Sequence, residues 1–581
     1  MMDDTTTPRR KAPVEPESPH TPTLGARKSQ LSSFAACSPG VHDPLLLSDP
    51  SPHSEVPQLT SPLVLADPTQ VRRSGGTAPR AGKLILDRVY EHVFMPNVAV
   101  AVIDTPEFQR LRTLKQLGSV SYLYPGAMHT RFEHSIGVAH LASVMIKKIA
   151  RRQPSLGVTE ADVLCVTLAG LCHDLGHGPF SHLFEVIVNR QRSERNLPHW
   201  HHEDMSCTML RRIMSKLELK TFGLDERDVN LIELCIQGLA PGAPWDAELV
   251  GRSEKKRFLL DIVSNKRNGV DVDKLDYFMR DSLGCYGRVA VDCHIPRLLS
   301  SCRVINMDGE YQVCFEEKMA QPLGDIFTLR AKLHKYAYQH RISKVVDHMV
   351  SDTLSLADPY FLVRGRNGEA KRISDCVDDV DGFVRLGDWV LAAIEASTDP
   401  KMADAQRIIS DLNQRRLYSI AGMAMFASYL SPAQKSTIKK EIMTIIEEQK
   451  DRRSERNKLV EITDETFIVD LIRIHYGSSD SEGNPDDPIN KVAFYNPKVS
   501  TKAFHLPRDR VSPLFSPSQF GEKSLVVLSR VNSKQGPHRD IISAAFEEWR
   551  TRNASLFSTG VPVYNNVPST PSMSRGAKRP R

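Results

Sequence analysis

The apolar stretch ADVLCVTLAGLC at 161–172 runs directly into HDLGHGPFSH at 173–182, which holds three histidines and one aspartate in ten residues. Apolar residues at three-to-four spacing predict a helix for the first stretch, and Gly176 and Gly178 mark where it meets a turn. Metal-capable side chains therefore crowd the mouth of a hydrophobic helix. An adjacent pair, His173 and Asp174, offers one nitrogen and one oxygen. That mixed set suits iron, manganese, zinc or nickel better than a thiolate metal. Two more ligands have to come from elsewhere.

Two segments can supply them. RFEHS places His134 at the start of the helical pattern HSIGVAHLASVMIKKIARR, whose basic end suits a helix C-terminus. NGVDVDKLDYF at 268–278 offers Asp271, Asp273 and Asp276, and spacing alone does not choose among them. Four protein ligands would leave an octahedral metal open positions for water and a substrate oxygen. A lone His or a lone HD pair is more often an ordinary core or surface residue. The weight lies in the order H…HD…D within one helical region.

The rest of the 581-residue chain has a globular composition, with 40% apolar and 25% charged residues. No apolar run is long enough to span a bilayer, and no signal peptide is expected from the opening residues. Ten cysteines without a CxxC pair read as reduced thiols of the cytosol or nucleus. A net charge of +6 permits acidic ligands such as nucleotides or single-stranded nucleic acid without demanding them. Residues 1–80, rich in Pro, Ser and Thr, read as disordered, as does the basic tail at 556–581. The fold expected between them is mainly α. A helical core spans 81–460 and a smaller mixed α/β lobe spans 461–555, where FIVDLIRIHYG, KVAFYNP and KSLVVLSRV alternate. KLILDRVYEHVF reads as a strand or hairpin, and PEFQRLRTLKQLG as a helix stopped by Gly118. DVDKLDYFMRDSLG, the long 322–357 stretch and DAQRIISDLNQRRLY read as further helices. EQKDRRSERNK at 448–458 reads as a charged surface stretch or linker. AKRPR at 577–581, and less distinctly RRK at 9–11, fit nuclear import signals, so the expected address is the nucleus, with the cytoplasm as a second location.

IDTPEFQRLR, PGAMHTRFEHS, CHDLGHGPFSH, SNKRNGVDVDKLDYF and AYQH together resemble the HD-domain phosphohydrolases. Within them the chain is most similar to the SAM-and-HD-domain deoxynucleoside triphosphate (dNTP) triphosphohydrolases, from about Lys83 to about residue 550, with no SAM module expected in the segment before it. The resemblance implies metal-dependent release of deoxynucleoside and intact triphosphate from a dNTP, and thereby control of dNTP pools. It implies the ligands His134, His173, Asp174 and Asp273 for Fe, Zn or Mn, with Mg on the nucleotide phosphates. His202 matches the family's catalytic histidine. His177, His182 and His202 are all candidates for the proton donor, and Arg131 for a phosphate contact; His199 and His201 are the surface alternatives. Glu185 stands where the family has Asp. Gln116, Leu117, Lys274, Tyr277, Asp281, Arg330, Tyr338 and Gln339 match substrate contacts, with Tyr338 beside the sugar C2′.

The resemblance further implies a GTP or dGTP activator and a homo-oligomer, a tetramer. Lys83, Asp104, Gln109 and Arg112 match the first activator site, with Arg415 matching a residue from a neighbouring subunit. At the second site Leu123, Tyr124, Arg297, His340 and Arg341 are compatible. Pro322, Glu316, Tyr336 and Ser419 depart from the family there, losing cations and adding a carboxylate. The alternative readings are an HD phosphohydrolase acting on another nucleotide, and a nucleic-acid-binding protein whose HD site is secondary. The latter lacks an RGG tract, a zinc finger or an aromatic RNA-recognition signature.

Overall fold

A computed structural model describes residues 82–289, 295–499, 502–506, 510–511, 517, 519–532 and 536–558. The segment 1–80 and the AKRPR tail lie outside the described residues, which all belong to one compact unit. The architecture is mainly helical, with a smaller sheet-containing region toward the carboxyl end.

The chain enters through an antiparallel hairpin of β1 (Lys83–Asp87) and β2 (Glu91–Met95), with Leu84 opposite Phe94 and Asp87 opposite Glu91. The helical core follows: α1 (Arg131–Arg152), α2 (Glu160–Cys172), α3 (His182–Glu194), α4 (His202–Met214), α5 (Glu226–Gln237) and α6 (Val272–Tyr286). α2 is buried on every side from Cys165 to Cys172, so it forms the centre of the core rather than an amphipathic wall. It crosses α1 closely at Gly170, where an added Cβ would lie 3.2 Å from the backbone of Ala139. That crossing sets the end of α2 beside the start of α1.

Two capping boxes start α2 and α5. Thr159 and Asp162 cap each other reciprocally, and so do Asp225 and Asp228. Arg252 ties the two boxes together, donating from Nε to Asp162 Oδ1 (2.8 Å) and from Nη2 to Asp228 Oδ1 (2.5 Å). Both aspartates are buried. The guanidinium thus neutralises two carboxylates that each also satisfy a helix N-terminus.

Among the described residues, a four-stranded and a three-stranded sheet are the largest. β3 (Arg303–Met307) and β4 (Glu310–Glu316) form a hairpin. Beyond it come α7 (Ala320–Leu333) and α8 (Arg341–Ala357), then β5 (Ser419–Met425), α9 (Lys435–Glu448) and β6 (Phe467–His475). β7 (Ala493–Tyr495), from KVAFYNP, pairs in parallel with β4 and antiparallel with β8 (Ala503–His505). β9 (Gly521–Ser529) runs antiparallel between β5 and β6. α9 and α10 (His538–Arg552) close a second core over that sheet, with Ile442, Phe467, Leu525, Phe546 and Trp549 inside.

Several readings are corrected. PEFQRLRTLKQLG is not one helix stopped by Gly118: an α-turn at Pro106–Gln109 and a 3-10 turn at Arg110–Thr113 end at Leu114, which is extended. Lys115 forms a bridge with Thr130 and gives its N–H to Asp388 (3.0 Å), so tertiary pairing overrides the helical pattern. The 322–357 stretch is broken by a π-helical turn at His334–Tyr338. DAQRIISDLNQRRLY leaves its helix after Asn413, and Arg415 takes a positive φ of 57°. The eight described cysteines are free thiols, seven of them buried. Among the described residues no helix is long and apolar enough to cross a membrane.

Removing the guanidinium that joins the two capping boxes takes the cation from buried Asp228 and leaves Asp162 with Lys256, 2.6 Å away. Arg252→Ala is expected to lower stability by about 3–5 kcal/mol, measured as a shift of the urea unfolding midpoint. A loss below about 1 kcal/mol would show that solvent already screens the pair.

Candidate active site

The site forms where three helix ends meet. α1 opens with Arg131 and carries His134 one turn on. His173 is the C-cap of α2, and Asp174 follows it. α6 carries Asp273, Asp276, Tyr277 and Asp281 toward the same point. Asp271 is the N-cap of α6. It accepts from the Lys274 N–H (3.0 Å), the Lys274 ammonium (2.8 Å) and the Asn265 N–H (3.2 Å).

His134 Nε2 and His173 Nε2 face each other at 3.2 Å. His173 Nδ1 lies 2.8 Å from the Gly170 carbonyl. A carbonyl only accepts, so the proton sits on Nδ1 and Nε2 keeps its lone pair. His134 Nδ1 is held in the same way by Asp276 Oδ2 at 2.7 Å. Asp273 Oδ1 lies 3.1 Å from His134 Nε2 and 3.4 Å from His173 Nε2. Asp174 lies 3.6 Å from the first ring nitrogen and 3.5 Å from the second. The donor atoms of His134, His173 and Asp174 lie within 4.8 Å of one another, and Asp273 faces both imidazoles from beside that group. Two nitrogens and two oxygens, with both tautomers fixed from behind, fit a divalent transition metal.

The electrostatics agree. Burial works against charge on His134, but the hydrogen bonds it gives to Asp273 and Asp276 draw its pKa up to about 10. Burial would raise the Asp174 carboxyl, yet Arg131, His173 and His177 hold it well below the usual range. Asp273 is likewise lowered by the two imidazoles despite burial. The site attracts positive charge.

Beside it, the rings of His177 and His202 stack at 4.0 Å, with His182 at 4.8 and 5.3 Å from them. Their ring nitrogens lie within 4.8 Å of one another. Burial, then Arg131 and His202, keep His177 well below its ordinary pKa. His202 Nδ1 meets Glu185 Oε2 at 2.6 Å, so the longer glutamate arm reaches it. The other carboxylate oxygen lies 3.2 Å from His201 Nδ1, and His199 Nε2 lies 3.4 Å from Ser193 Oγ at the surface. Arg131, buried, donates to Asp174, to Ser181 Oγ (3.0 Å) and to the Gln116 carbonyl (3.4 Å).

Across the cleft, Tyr338 ends the π-helical turn and donates to Asp281 Oδ2 at 2.5 Å. Gln339 follows as the C-cap of that turn. The Tyr277 ring sits 6.5 Å from that of His134. Gln116 Oε1 is buried without a hydrogen-bond partner, and Leu117 is half-buried next to it. Arg330 gives a donor to the His475 carbonyl of β6, while remaining near enough to Tyr277 to act on it electrostatically.

The remaining positions are exposed or half-buried. Lys83 pairs with Asp104 at 3.9 Å, Gln109 accepts from Arg112 at 2.8 Å, and Arg112 lies over the Phe132 ring. Arg415 donates to the Tyr122 carbonyl, beside Leu123. Tyr124 donates to the Tyr336 carbonyl at 2.7 Å. His340 caps α8, Arg341 opens it, and Arg297 is exposed on the helix Ile295–Ser301.

Three contributors escape sequence reasoning. Arg110, buried, donates to the carbonyls of Leu175 (2.8 Å) and His177 (2.7 Å) and so grips the backbone of the HD turn. His129 Nε2 meets Asp281 Oδ1 at 2.8 Å, on the side opposite Tyr338. Asp388 accepts from Lys115 N–H and from Phe180 N–H (2.7 Å), joining two loops 208 residues upstream and more. Phe180 and Ser181 both have φ of 61°, a conformation rare outside glycine. A PF pair after the HD motif is the one signal that a strained turn stands there.

A family model described as HD domain matches residues 131–265, spanning His134, His173 and Asp174 and stopping short of Asp273. Fold and site thus define an HD-domain hydrolase. Over 486 residues the chain is 37% identical to the deoxynucleoside triphosphate triphosphohydrolase SAMHD1 of Mus musculus, covering 80% of this chain and 71% of that protein. The Homo sapiens protein of the same name is 36% identical over 482 residues (80% and 73%), and the Dictyostelium discoideum homolog 34% over 455 residues (78% and 79%). The chain belongs to the SAMHD1 family of HD-domain enzymes.

Asp174→Ala removes one of four converging donors. The purified variant is expected to carry less than about a tenth of the wild-type metal content after dialysis, since even outer partners of such ligands govern affinity 10–100-fold. Full retention, measured by elemental analysis, would place the metal elsewhere.

Proposed function

We propose that the protein hydrolyses dNTPs to deoxynucleoside and inorganic triphosphate and so controls dNTP pools. The observation that carries this reading is the convergence of His134, His173, Asp174 and Asp273 beside Arg131 and a three-histidine group. The names of the relatives support the substrate class. A divalent transition metal (Fe, Zn or Mn), when bound by those four residues, supplies Lewis acidity toward phosphate and water, and Mg accompanies the nucleotide phosphates.

The chain's own residues do the rest. A water oxygen attacks the α-phosphorus, the bond from phosphorus to O5′ breaks, and O5′ leaves with a proton. His202 is our choice of donor. Glu185 on its Nδ1 stabilises the imidazolium, leaving Nε2 to exchange the proton, with His177 and His182 completing the pocket. Arg131, Lys274 and Arg330 offset phosphate charge. Gln116 brings an unsatisfied acceptor, and Tyr277 and Asp281 receive the sugar 3′-hydroxyl. Leu117 and Gln339 close the wall, and Tyr338, anchored on Asp281, crowds C2′.

Activation by GTP or dGTP at Lys83, Asp104, Gln109 and Arg112, with Arg415 supplied by a neighbouring copy in a homo-oligomer, is part of the proposal. The second nucleotide site, around Leu123, Tyr124, Arg297, His340 and Arg341, is altered. Glu316 pairs with Lys318 at 2.6 Å, Tyr336 is exposed, Pro322 lies within α7 and Ser419 opens β5. Fewer cations there weaken triphosphate binding.

Product analysis with dGTP is expected to give deoxyguanosine and triphosphate; pyrophosphate or orthophosphate would refute the reaction class. In the same assay, turnover of a slow dNTP should rise with GTP alone, and light scattering should report assembly. A strict added requirement for a non-hydrolysable dNTP would refute the altered second site.

Tyr338→Ala removes the wall beside C2′. Discrimination between dGTP and GTP as substrates, read from the ratio of kcat/KM values, should relax by roughly 10–100-fold. An unchanged ratio would remove Tyr338 from sugar selection.

A further inference from the structure

The metal ligand His134 stands at the inner end of a buried chain of charges whose outer end is the β1–β2 hairpin. The hairpin lies on the core by one face only. Val93 and Met95 are fully buried, whereas Leu86 is 78% exposed. At its turn Asp87 is nonetheless buried. One oxygen, Oδ1, accepts the N–H groups of Val89 (2.8 Å) and Tyr90 (3.0 Å) and shapes the turn. The other, Oδ2, lies 3.0 Å from Arg280 Nη1.

Arg280 is fully buried and holds Asp276 with two parallel bonds, from Nε to Oδ2 and from Nη2 to Oδ1, both 2.9 Å. Asp276 Oδ2 in turn receives His134 Nδ1 at 2.7 Å. α1 makes room for this path. A Cβ on Gly137 would overlap both the Asp276 carboxylate and the Arg280 guanidinium, so α1 carries no side chain there.

Each link depends on the next. In a low-dielectric interior a charge that loses its partner is costly, and linked hydrogen bonds polarise one another. A cation on His134 Nε2 makes its Nδ1–H a stronger donor to Asp276. The orientation of Asp276 is set by Arg280, whose two hydrogen bonds go to Asp276 while its remaining nitrogen faces the Asp87 carboxylate of the hairpin as an ion pair. Lifting the hairpin takes Asp87 away and frees Arg280 to shift.

We propose that Asp87 and Arg280 are positioning residues for the metal ligand His134, so that docking of the β1–β2 hairpin and occupancy of the metal site favour one another. The inference rests on the reading of His134 as a metal ligand. Because linkage is reciprocal, the metal should hold the hairpin down by the same factor by which the docked hairpin tightens the metal.

The test uses the full chain, stripped of metal and titrated with Mn(II), with free Mn(II) followed by EPR. Asp87→Asn is the informative variant, since the amide oxygen still caps the turn while the charge facing Arg280 is lost. Its affinity for Mn(II) should fall roughly 3- to 10-fold, within the range that coupled but non-contacting positions show. Asp276→Asn, one link closer, should fall further, roughly 10–100-fold. Leu86→Ser, on the outer face of the hairpin, should match the wild type. In the wild type, Mn(II) should slow hydrogen exchange of peptide 83–95, and this slowing should vanish in Asp87→Asn. The exchange measurement on wild type needs no variant to fold. Equal Mn(II) affinity of wild type and Asp87→Asn, with hairpin exchange indifferent to Mn(II), overturns the inference while leaving the metal site intact. A wild type that binds no Mn(II) overturns both.

Discussion

Two imidazole nitrogens, each with the other nitrogen of its ring held on the far side, face each other at 3.2 Å at the end of a helix that is buried on every side over its last eight residues. That arrangement calls for a positive charge between the two nitrogens, a proton or a metal ion, and much of the nearby structure maintains it. The Gly170 carbonyl fixes one ring and Asp276 the other. Arg110 grips the turn that follows, and Asp388 holds Phe180 in a backbone conformation it would otherwise leave. Each residue so strained costs on the order of 1–3 kcal/mol, offset by packing elsewhere. The close crossing at Gly170 brings the ends of α1 and α2 together at all.

Charge serves two ends in this molecule. Arg252 between Asp162 and Asp228 is architectural: it neutralises carboxylates that are already busy capping helices. The group around His134 is built in the opposite sense. Asp174, Asp273 and Asp276 outnumber the fixed cations near them, Arg131 and Arg280, and the surplus is a standing demand for positive charge. Next door, burial and then Arg131 keep His177 and His182 neutral more readily. A site that attracts a cation and a three-histidine group sit side by side, with His177 Nε2 3.3 Å from Asp174 Oδ1.

Helices with strong, long patterns are legible from residues alone. α1, α2 and α6 follow directly from HSIGVAHLASVMIKKIARR, ADVLCVTLAGLC and DVDKLDYFMRDSLG. The order H…HD…D leads to His134, His173 and Asp174, whose donors the fold brings together. The choice among Asp271, Asp273 and Asp276 is not legible, because three acidic residues at a helix start look alike until one becomes the N-cap and another turns behind an imidazole. The break at Leu114 and the strand β5 escape for a related reason. Both are imposed by partners distant in sequence, Asp388 for the first and β9 for the second. Arg110, His129 and Asp388 carry no local pattern, since their role is to satisfy backbone or carboxylate groups that only the folded chain exposes.

The π-helical turn at His334–Tyr338 has a consequence of another kind. Gln339 donates to the carbonyl of His334, five residues back, at 2.8 Å, so the turn accommodates one residue more than an α-helix does. Tyr338 reaches Asp281 from this widened turn. Its direction is therefore set by how many residues precede it as well as by what it is. Loss of a single residue between 334 and 338 would restore α geometry, leave the flanking helix nearly in phase and change which residue faces Asp281. Over evolutionary time, the residue anchored on Asp281 can be exchanged by an insertion or deletion with every remaining side chain unchanged, a route that comparisons of residue identity alone do not see.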